Sequence, residues 1–189
     1  MTSFITEQTF KNENYTETKF PSGEYENCIF INCQFSKSNL NDIIFSECEF
    51  ENCDLSLAKL KGTVFKDVVF KNCKLLGLHF GDCNDFLISF SFENCVLNFS
   101  SFYKLKLKKT TFTNCKLEEA DFANTDLSQS VFDQCDLNRA VFVDTILEKS
   151  DFRSACNFSI DPERNKIAKA KFSSQNIIGL LDKYNIIVE

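Results

Sequence analysis

Every fifth residue of this chain, over most of its length, carries a large apolar side chain. From Tyr25 to Phe80 the positions at steps of five are Phe, Leu or Tyr, and the run restarts two residues late at Leu87 and continues to Phe152. That makes twenty-six central positions without an exception. Chance does not produce such a run, so the repeat takes precedence over local propensity. A period of five matches neither the 3.6 of a helix nor the alternation of a long strand. Two residues before each centre sits a mostly small residue, as at Ala58, Thr63, Ala120, Ser130 and Ala140. The residue between the two is usually polar, as at Asp54, Asp121, Asp126, Asp136 and Asp151. This in–out–in order is that of a short extended piece, and a tight turn must follow it for the pattern to restart. Four such sides close one square coil of twenty residues, and stacked coils would lie about 4.8 Å apart, the ordinary strand spacing.

A column of cysteines marks the same period. Cys33, Cys53, Cys73, Cys95, Cys115 and Cys135 are twenty residues apart, except for twenty-two between Cys73 and Cys95. Asn precedes five of them (Asn32, Asn52, Asn72, Asn94, Asn114) and Gln134 the sixth. Another side of the square reads Phe30, Phe50, Phe70, Phe92, Phe112, Phe132, Phe152. Like residues stacked on like residues fill a narrow core at uniform density, so the 22 Phe are expected to be core. With Cys28 and Cys48, eight of the ten cysteines fall at the small inward position. Parallel, identical side chains do not present the torsion of about 90° that a disulfide needs, so these thiols are expected to be reduced and buried. A column of thiols is not a tetrahedral cluster and no CxxC occurs, so no metal site is expected. Cys83 and Cys156 lie off the ladder and are expected to be exposed.

Repeats such as Ala120-Asp121-Phe122-Ala123-Asn124 and Thr125-Asp126-Leu127-Ser128-Gln129 resemble the A(D/N)LXX unit of pentapeptide-repeat proteins. The resemblance covers roughly residues 23–156. It implies an all-β solenoid, a right-handed quadrilateral β-helix, closed here by a short C-terminal helix. The departures are Ile43, Val68, Leu78, Phe90 and Leu105, which replace the small residue; the coils are expected to widen or shift there.

In chain order, residues 1–22 carry five-spaced aromatics (Phe10, Tyr15, Phe20) without the small partner and are expected to form an N-terminal cap, which an open coil end needs. Residues 23–156 form the solenoid, with a register break near 81–86. Residues 157–189 form a closing coil, helix and strand. Ser173 or Ser174 is a candidate N-cap for a helix from Gln175 to Tyr184, followed by a strand at Ile186-Ile187-Val188. Surplus apolar surface on that end invites pairing of two copies. Quinolone-resistance members of the family end in a similar way, and the resemblance implies a homodimer, with Ile177, Ile178, Leu180 and Leu181 as the candidate interface.

Net charge is −6 and uneven: residues 1–86 hold 8 basic against 13 acidic side chains, residues 87–189 hold 13 against 14. The cluster Lys104, Lys106, Lys108 and Lys109 falls short of a nucleic-acid footprint, so no direct nucleic-acid partner is expected. No segment approaches 18 apolar residues and the N-terminus has no signal-peptide pattern; the expectation is no membrane contact and a cytoplasmic location. Phosphate-loop, HExxH and nucleophile-elbow motifs are missing, and the single His79 should point outward with no partner. Neither catalytic residues nor a cofactor are therefore expected. Function should sit on the surface. One candidate is the irregular loop Gly81, Asp82, Cys83, Asn84, Asp85 and Phe86, because recognition concentrates on loops held by a rigid scaffold. Another is an acidic face of Glu47, Glu49, Glu51 and Asp54, which is either a solvated surface or a row of carboxylates that imitates DNA. The family resemblance implies a protein-binding rod or scaffold with no assigned partner. Its more specific alternative is a DNA mimic that engages DNA gyrase or topoisomerase IV, both type II topoisomerases, and protects against fluoroquinolones.

Overall fold

Segments twenty residues apart pair in parallel, each coil on the next. The computed structural model describes residues 3–86 and 88–187. Its strands are, up to the middle of the chain, β1 (Ser3–Thr6), β2 (Thr9–Lys11), β3 (Gly23–Glu26), β4 (Ile29–Ile31), β5 (Ile44–Ser46) and β6 (Glu49–Glu51). They continue with β7 (Val64–Lys66), β8 (Val68–Lys71), β9 (Phe90–Glu93), β10 (Thr111–Thr113) and β11 (Val131–Asp133). One side of the solenoid is the parallel sheet β1-β3-β5-β7, and the next is the parallel sheet β11-β10-β9-β8-β6-β4-β2. The register is Phe10↔Phe30↔Phe50↔Phe70, then Phe70↔Phe92 across the two-residue insertion, then Phe92↔Phe112↔Phe132. Single bridges such as Gln34↔Asp54, Ser101↔Asp121 and Lys106↔Asp126 carry the remaining sides. The four-sided β-solenoid is thus the observed fold. Residues 3–22 form its first coil, in register with the second through Ser3↔Gly23 and Phe10↔Phe30.

The centres fill one continuous core. On the all-Phe side, Phe92–Phe112, Phe112–Phe132 and Phe132–Phe152 stack at 5.2, 4.8 and 4.7 Å between ring centroids. Each fully buried Phe contributes about 1.5–3 kcal/mol of transfer free energy. Ile43, Val68, Leu78, Phe90 and Leu105 are all buried as well. Val68 and Phe90 are direct partners across adjacent coils, so the bulk is absorbed without loss of backbone pairing.

Turn chemistry explains the asparagines. The residue two after most centres takes a left-handed conformation, as at Asn32, Asn52, Asn72, Asn94 and Asn114, with φ between 51° and 55°. Asn tolerates this region better than other residues with a Cβ. Stacked one coil apart, the side chains also bond each other: Asn32 Nδ2 donates to Asn12 Oδ1 at 3.2 Å and Asn114 Nδ2 to Asn94 Oδ1 at 2.7 Å.

The small inward residue has its own bond. Cys48, Cys53, Cys73 and Cys135 Sγ donate to the carbonyls of Tyr25, Phe30, Phe50 and Phe112, each at 3.3 Å. Hydroxyls do the same: Thr63 Oγ1 to Leu40 O, Thr125 Oγ1 to Phe102 O and Ser130 Oγ to Leu107 O, each at 2.8 Å. Every acceptor belongs to a centre of the coil below. A buried carbonyl gains a second donor this way, which is why Cys, Ser and Thr interchange at one position. All ten cysteines are unbridged, and burial pushes the Cys48 thiol up to about 12.

The C-terminus differs from its expectation. Residues 175–184 form no α-helix; they make two 3-10 turns, Ile177–Leu180 and Asp182–Tyr184. Ser173 does pair with the start of this segment: its N–H donates to Asn176 Oδ1 at 2.9 Å, and the Asn176 N–H donates to its Oγ at 3.2 Å. The Asn176 amide then reaches inward and donates to the Phe152 and Ala155 carbonyls at 2.8 and 2.9 Å. Gly179 lies so close to the coil that a Cβ there would fall 2.3 Å from the Phe158 carbonyl oxygen, and the Ile160 N–H donates to the Gly179 carbonyl at 2.9 Å. The segment follows the contour of the last coil, and that contact replaces helical hydrogen bonds. Ile186 and Ile187 are not in a strand; Val188 lies outside the described residues.

Candidate functional site

The insertion is built from the coil outward. Phe80 is buried at its centre and starts a 3-10 turn, Phe80–Asp82. Cys83 stands twenty residues after Thr63 and, contrary to expectation, is buried in the inward column rather than exposed. The extra residues therefore enter after it, and the register break assigned to Gly81 begins later. Burial pushes the Cys83 thiol up. The Asn84 N–H still makes the regular bond to the Thr63 carbonyl at 2.9 Å. The chain then leaves the coil: the Phe86 N–H donates to Asn84 Oδ1 at 3.0 Å, and Asp85 and Phe86 face solvent, Phe86 at 74% exposure. Leu87, the expected centre, lies outside the described residues. Ile88 is buried against the core, and the Ser89 hydroxyl donates to Asp67 Oδ1 at 2.8 Å while it accepts from the Asp67 N–H at 2.7 Å. Of the six predicted loop residues, Gly81, Asp82, Asn84, Asp85 and Phe86 reach solvent and Cys83 does not.

The four predicted acidic residues do not form one row. Glu49 and Glu51 flank Phe50 on β6, Glu47 occupies the preceding corner and Asp54 the following side. Glu49 is paired with Lys71 Nζ at 2.8 Å, and Asp54 Oδ1 accepts the Ser56 N–H at 2.9 Å.

At the C-terminal end Ile177, Ile178 and Leu181 are exposed, together with Tyr184, Ile186 and Ile187. Leu180 is half-buried and packs against the core. Lys183 ties the segment down through Asp161 and Glu163, both at 2.7 Å; the ammonium holds the Asp161 carboxyl below its usual range.

The fold also presents an apolar surface that the repeat pattern does not predict. Leu57 and Phe99 occupy left-handed corner positions, at φ 58° and 60°, and are 50% and 51% exposed. Leu57 lies across Gly77, where a Cβ would meet Leu57 Cδ2 at 2.7 Å. Tyr103 is exposed nearby in chain, with Lys104 Nζ 4.8 Å from its ring centroid. The signal is present in the sequence: a Leu and a Phe stand where the corner favours Asn. Among the described residues no cluster of His, Cys, Asp or Glu has a metal-holding arrangement, and no helix is long and apolar enough to cross a membrane.

Two solved structures of QnrB1, described as a plasmid-mediated fluoroquinolone resistance protein, share this architecture. Both are trypsin-treated variants. One matches with a TM-score of 0.63 at 17% identity, covering 99% of this chain and 100% of that one. The other matches with a TM-score of 0.66 at 18% identity, covering 99% and 92%. No curated protein sequence matches the chain. The family model for the pentapeptide repeat region matches residues 23–90 and 86–158, and the chain belongs to the pentapeptide-repeat family.

Proposed function

We propose that the protein is a non-catalytic rod that binds another protein through its outer surface. The observation that carries this reading is the contrast between a continuous, filled core and an outside with isolated apolar side chains. Phe86 on the insertion, Leu57 and Phe99 at one corner, and Ile178 and Ile187 at the C-terminal end are all exposed. A hydrogen-bonded solenoid holds such residues at fixed spacing, which suits recognition of a partner more than chemistry on a substrate. The C-terminal patch is the natural place for two copies to meet across a two-fold axis.

A second, narrower reading is a type II topoisomerase as partner, engaged by DNA mimicry. The fold likeness to a fluoroquinolone resistance protein supports it, as does the acidic excess in residues 1–86, 13 acidic side chains against 8 basic. A gyrase supercoiling assay tests it directly, titrated with the purified protein in the presence and absence of a fluoroquinolone. Inhibition or drug protection that weakens as salt rises is the expected result for a mimic. No effect in either arm with a matched enzyme would leave the scaffold reading and remove the topoisomerase one.

A further inference from the structure

The side of the solenoid that contains β1, β3, β5 and β7 carries its charge in two separate blocks. The outermost residues of its trailing corner are Glu7, Asn27, Glu47 and Asp67 before the insertion, and Lys109, Gln129, Lys149 and Lys169 after it; all eight share the same left-handed conformation. The rest of this side repeats the division. Before the insertion Glu24 and Glu26 join the acidic corner, against Lys66 alone. After it Lys106, Lys108 and Lys166 join the basic corner, against Asp126 and Glu148. One end of the side therefore has a net of about four negative charges, the other about four positive. Only the Lys108–Asp126 contact, at 3.3 Å, pairs any of these charges among the described residues.

Stacking like charges one strand spacing apart costs stability. Glu47 beside Asp67 and Lys149 beside Lys169 bear that cost with no counter-ion among the described residues. A partner with the reverse order of charge would relieve it. The same side of a second copy, turned end for end, has that order: its basic block faces the acidic block of the first, and its acidic block faces the basic one. Such a contact is self-complementary about a two-fold axis, as an isologous dimer requires. The axis passes at the level of the insertion, where exposed Phe86 would meet its counterpart.

We propose that two copies of this chain associate side by side and antiparallel through this charged side. The contact is separate from the apolar C-terminal patch and independent of any topoisomerase partner. It is held by charge rather than by a large apolar area, so it should be salt-sensitive.

Two charge-reversed proteins test this. One carries Glu7→Lys, Glu26→Lys and Glu47→Lys, which turns the net of about four negative charges into about two positive, so both blocks are net basic. The other carries Lys109→Glu, Lys149→Glu and Lys169→Glu, which turns the net of about four positive charges into about two negative, so both blocks are net acidic. None of these six side chains makes a hydrogen bond or ion pair among the described residues, and matching circular dichroism and melting curves would show that both still fold. Sedimentation velocity is read for the unaltered chain, each variant and their equimolar mixture. The expected result is that the unaltered chain associates at about 50 mM salt and weakens at least tenfold by about 500 mM, as the Debye length shrinks from about 14 Å to about 4 Å. Each variant alone loses this association, and the mixture regains it as a one-to-one complex. Association unaffected by salt and by both reversals would overturn the proposal, as would two folded variants whose mixture sediments as the simple sum of its parts. A dimer made only by the C-terminal patch gives that second outcome.

Discussion

At the scale of single residues, the inward position two before each centre decides more than its size suggests. The Thr125 hydroxyl donates to the buried Phe102 carbonyl at 2.8 Å, although Val would fill nearly the same volume. Thr125→Val should cost about 1 kcal/mol in urea denaturation, and Thr125→Ser should recover part of it because Ser130 makes the same bond one repeat later. Two of the four tyrosines report on burial at the N-terminal end. Burial pushes the Tyr25 phenol, which donates to the Pro21 carbonyl at 2.9 Å, up to about 12. Burial, followed by the Glu13 charge, does the same to Tyr15. Below pH 10 these phenols are neutral in both folded and unfolded chains, so they add no pH dependence. From pH 10 to about 12 the unfolded phenols ionise and the folded ones do not, so stability falls as pH rises. Absorbance titration should show two late phenols ionising near pH 12, and Tyr25→Phe should remove one of them.

At the scale of elements, the unit is a column of like side chains rather than a strand. Phe112 lies between Phe92 and Phe132, at 5.2 and 4.8 Å between ring centroids. Phe112→Ala should destabilise the protein by about 3–5 kcal/mol, measured by thermal or denaturant unfolding. The columns are legible in the sequence because a repeat states the same constraint many times over. The Asn at the corners and the small residue facing inward can each be read from any one coil. What is not legible is what occurs once. Cys83 is easily misplaced because Gly81 and Asp82 look like the start of a break, whereas the spacing from Thr63 keeps Cys83 in its column. Residues 175–184 have helical composition, but contact between Gly179 and Phe158 moulds them onto the last coil. Leu180 groups with its exposed neighbours in the sequence, since sequence alone does not tell which side of a 3-10 turn faces the rod.

At the scale of the whole molecule, the solenoid is a stack in which each coil touches mainly its neighbours, and what binds it must read the outside. The exposed C-terminal side chains Ile178, at 41%, and Ile187, at 89%, predict that an Ile178→Asp/Ile187→Asp variant loses any salt-resistant dimer in light scattering while it keeps its melting temperature. An unchanged mass with both substitutions would move the interface elsewhere.

Most of the inward thiols and hydroxyls donate in one direction, from each coil to the coil that precedes it in the chain; Ser150 Oγ, which bonds the Leu147 carbonyl, and Cys115 Sγ, which bonds the Thr113 carbonyl, stay within their own coil. Cys28 reaches Ile5, Cys53 reaches Phe30, Thr145 reaches Phe122 and Asn165 reaches Phe142. During synthesis the chain leaves the ribosome at about 5–20 residues per second, N-terminus first, so a new coil emerges every one to four seconds. Each such side chain finds its acceptor already folded beneath it, whereas backbone donors such as Asn32 N–H and Phe35 N–H wait for the Glu51 and Asp54 carbonyls of the coil that follows. The buried side chains of a coil can therefore be satisfied as it is translated, while its backbone ladder closes only when the next coil is laid on it.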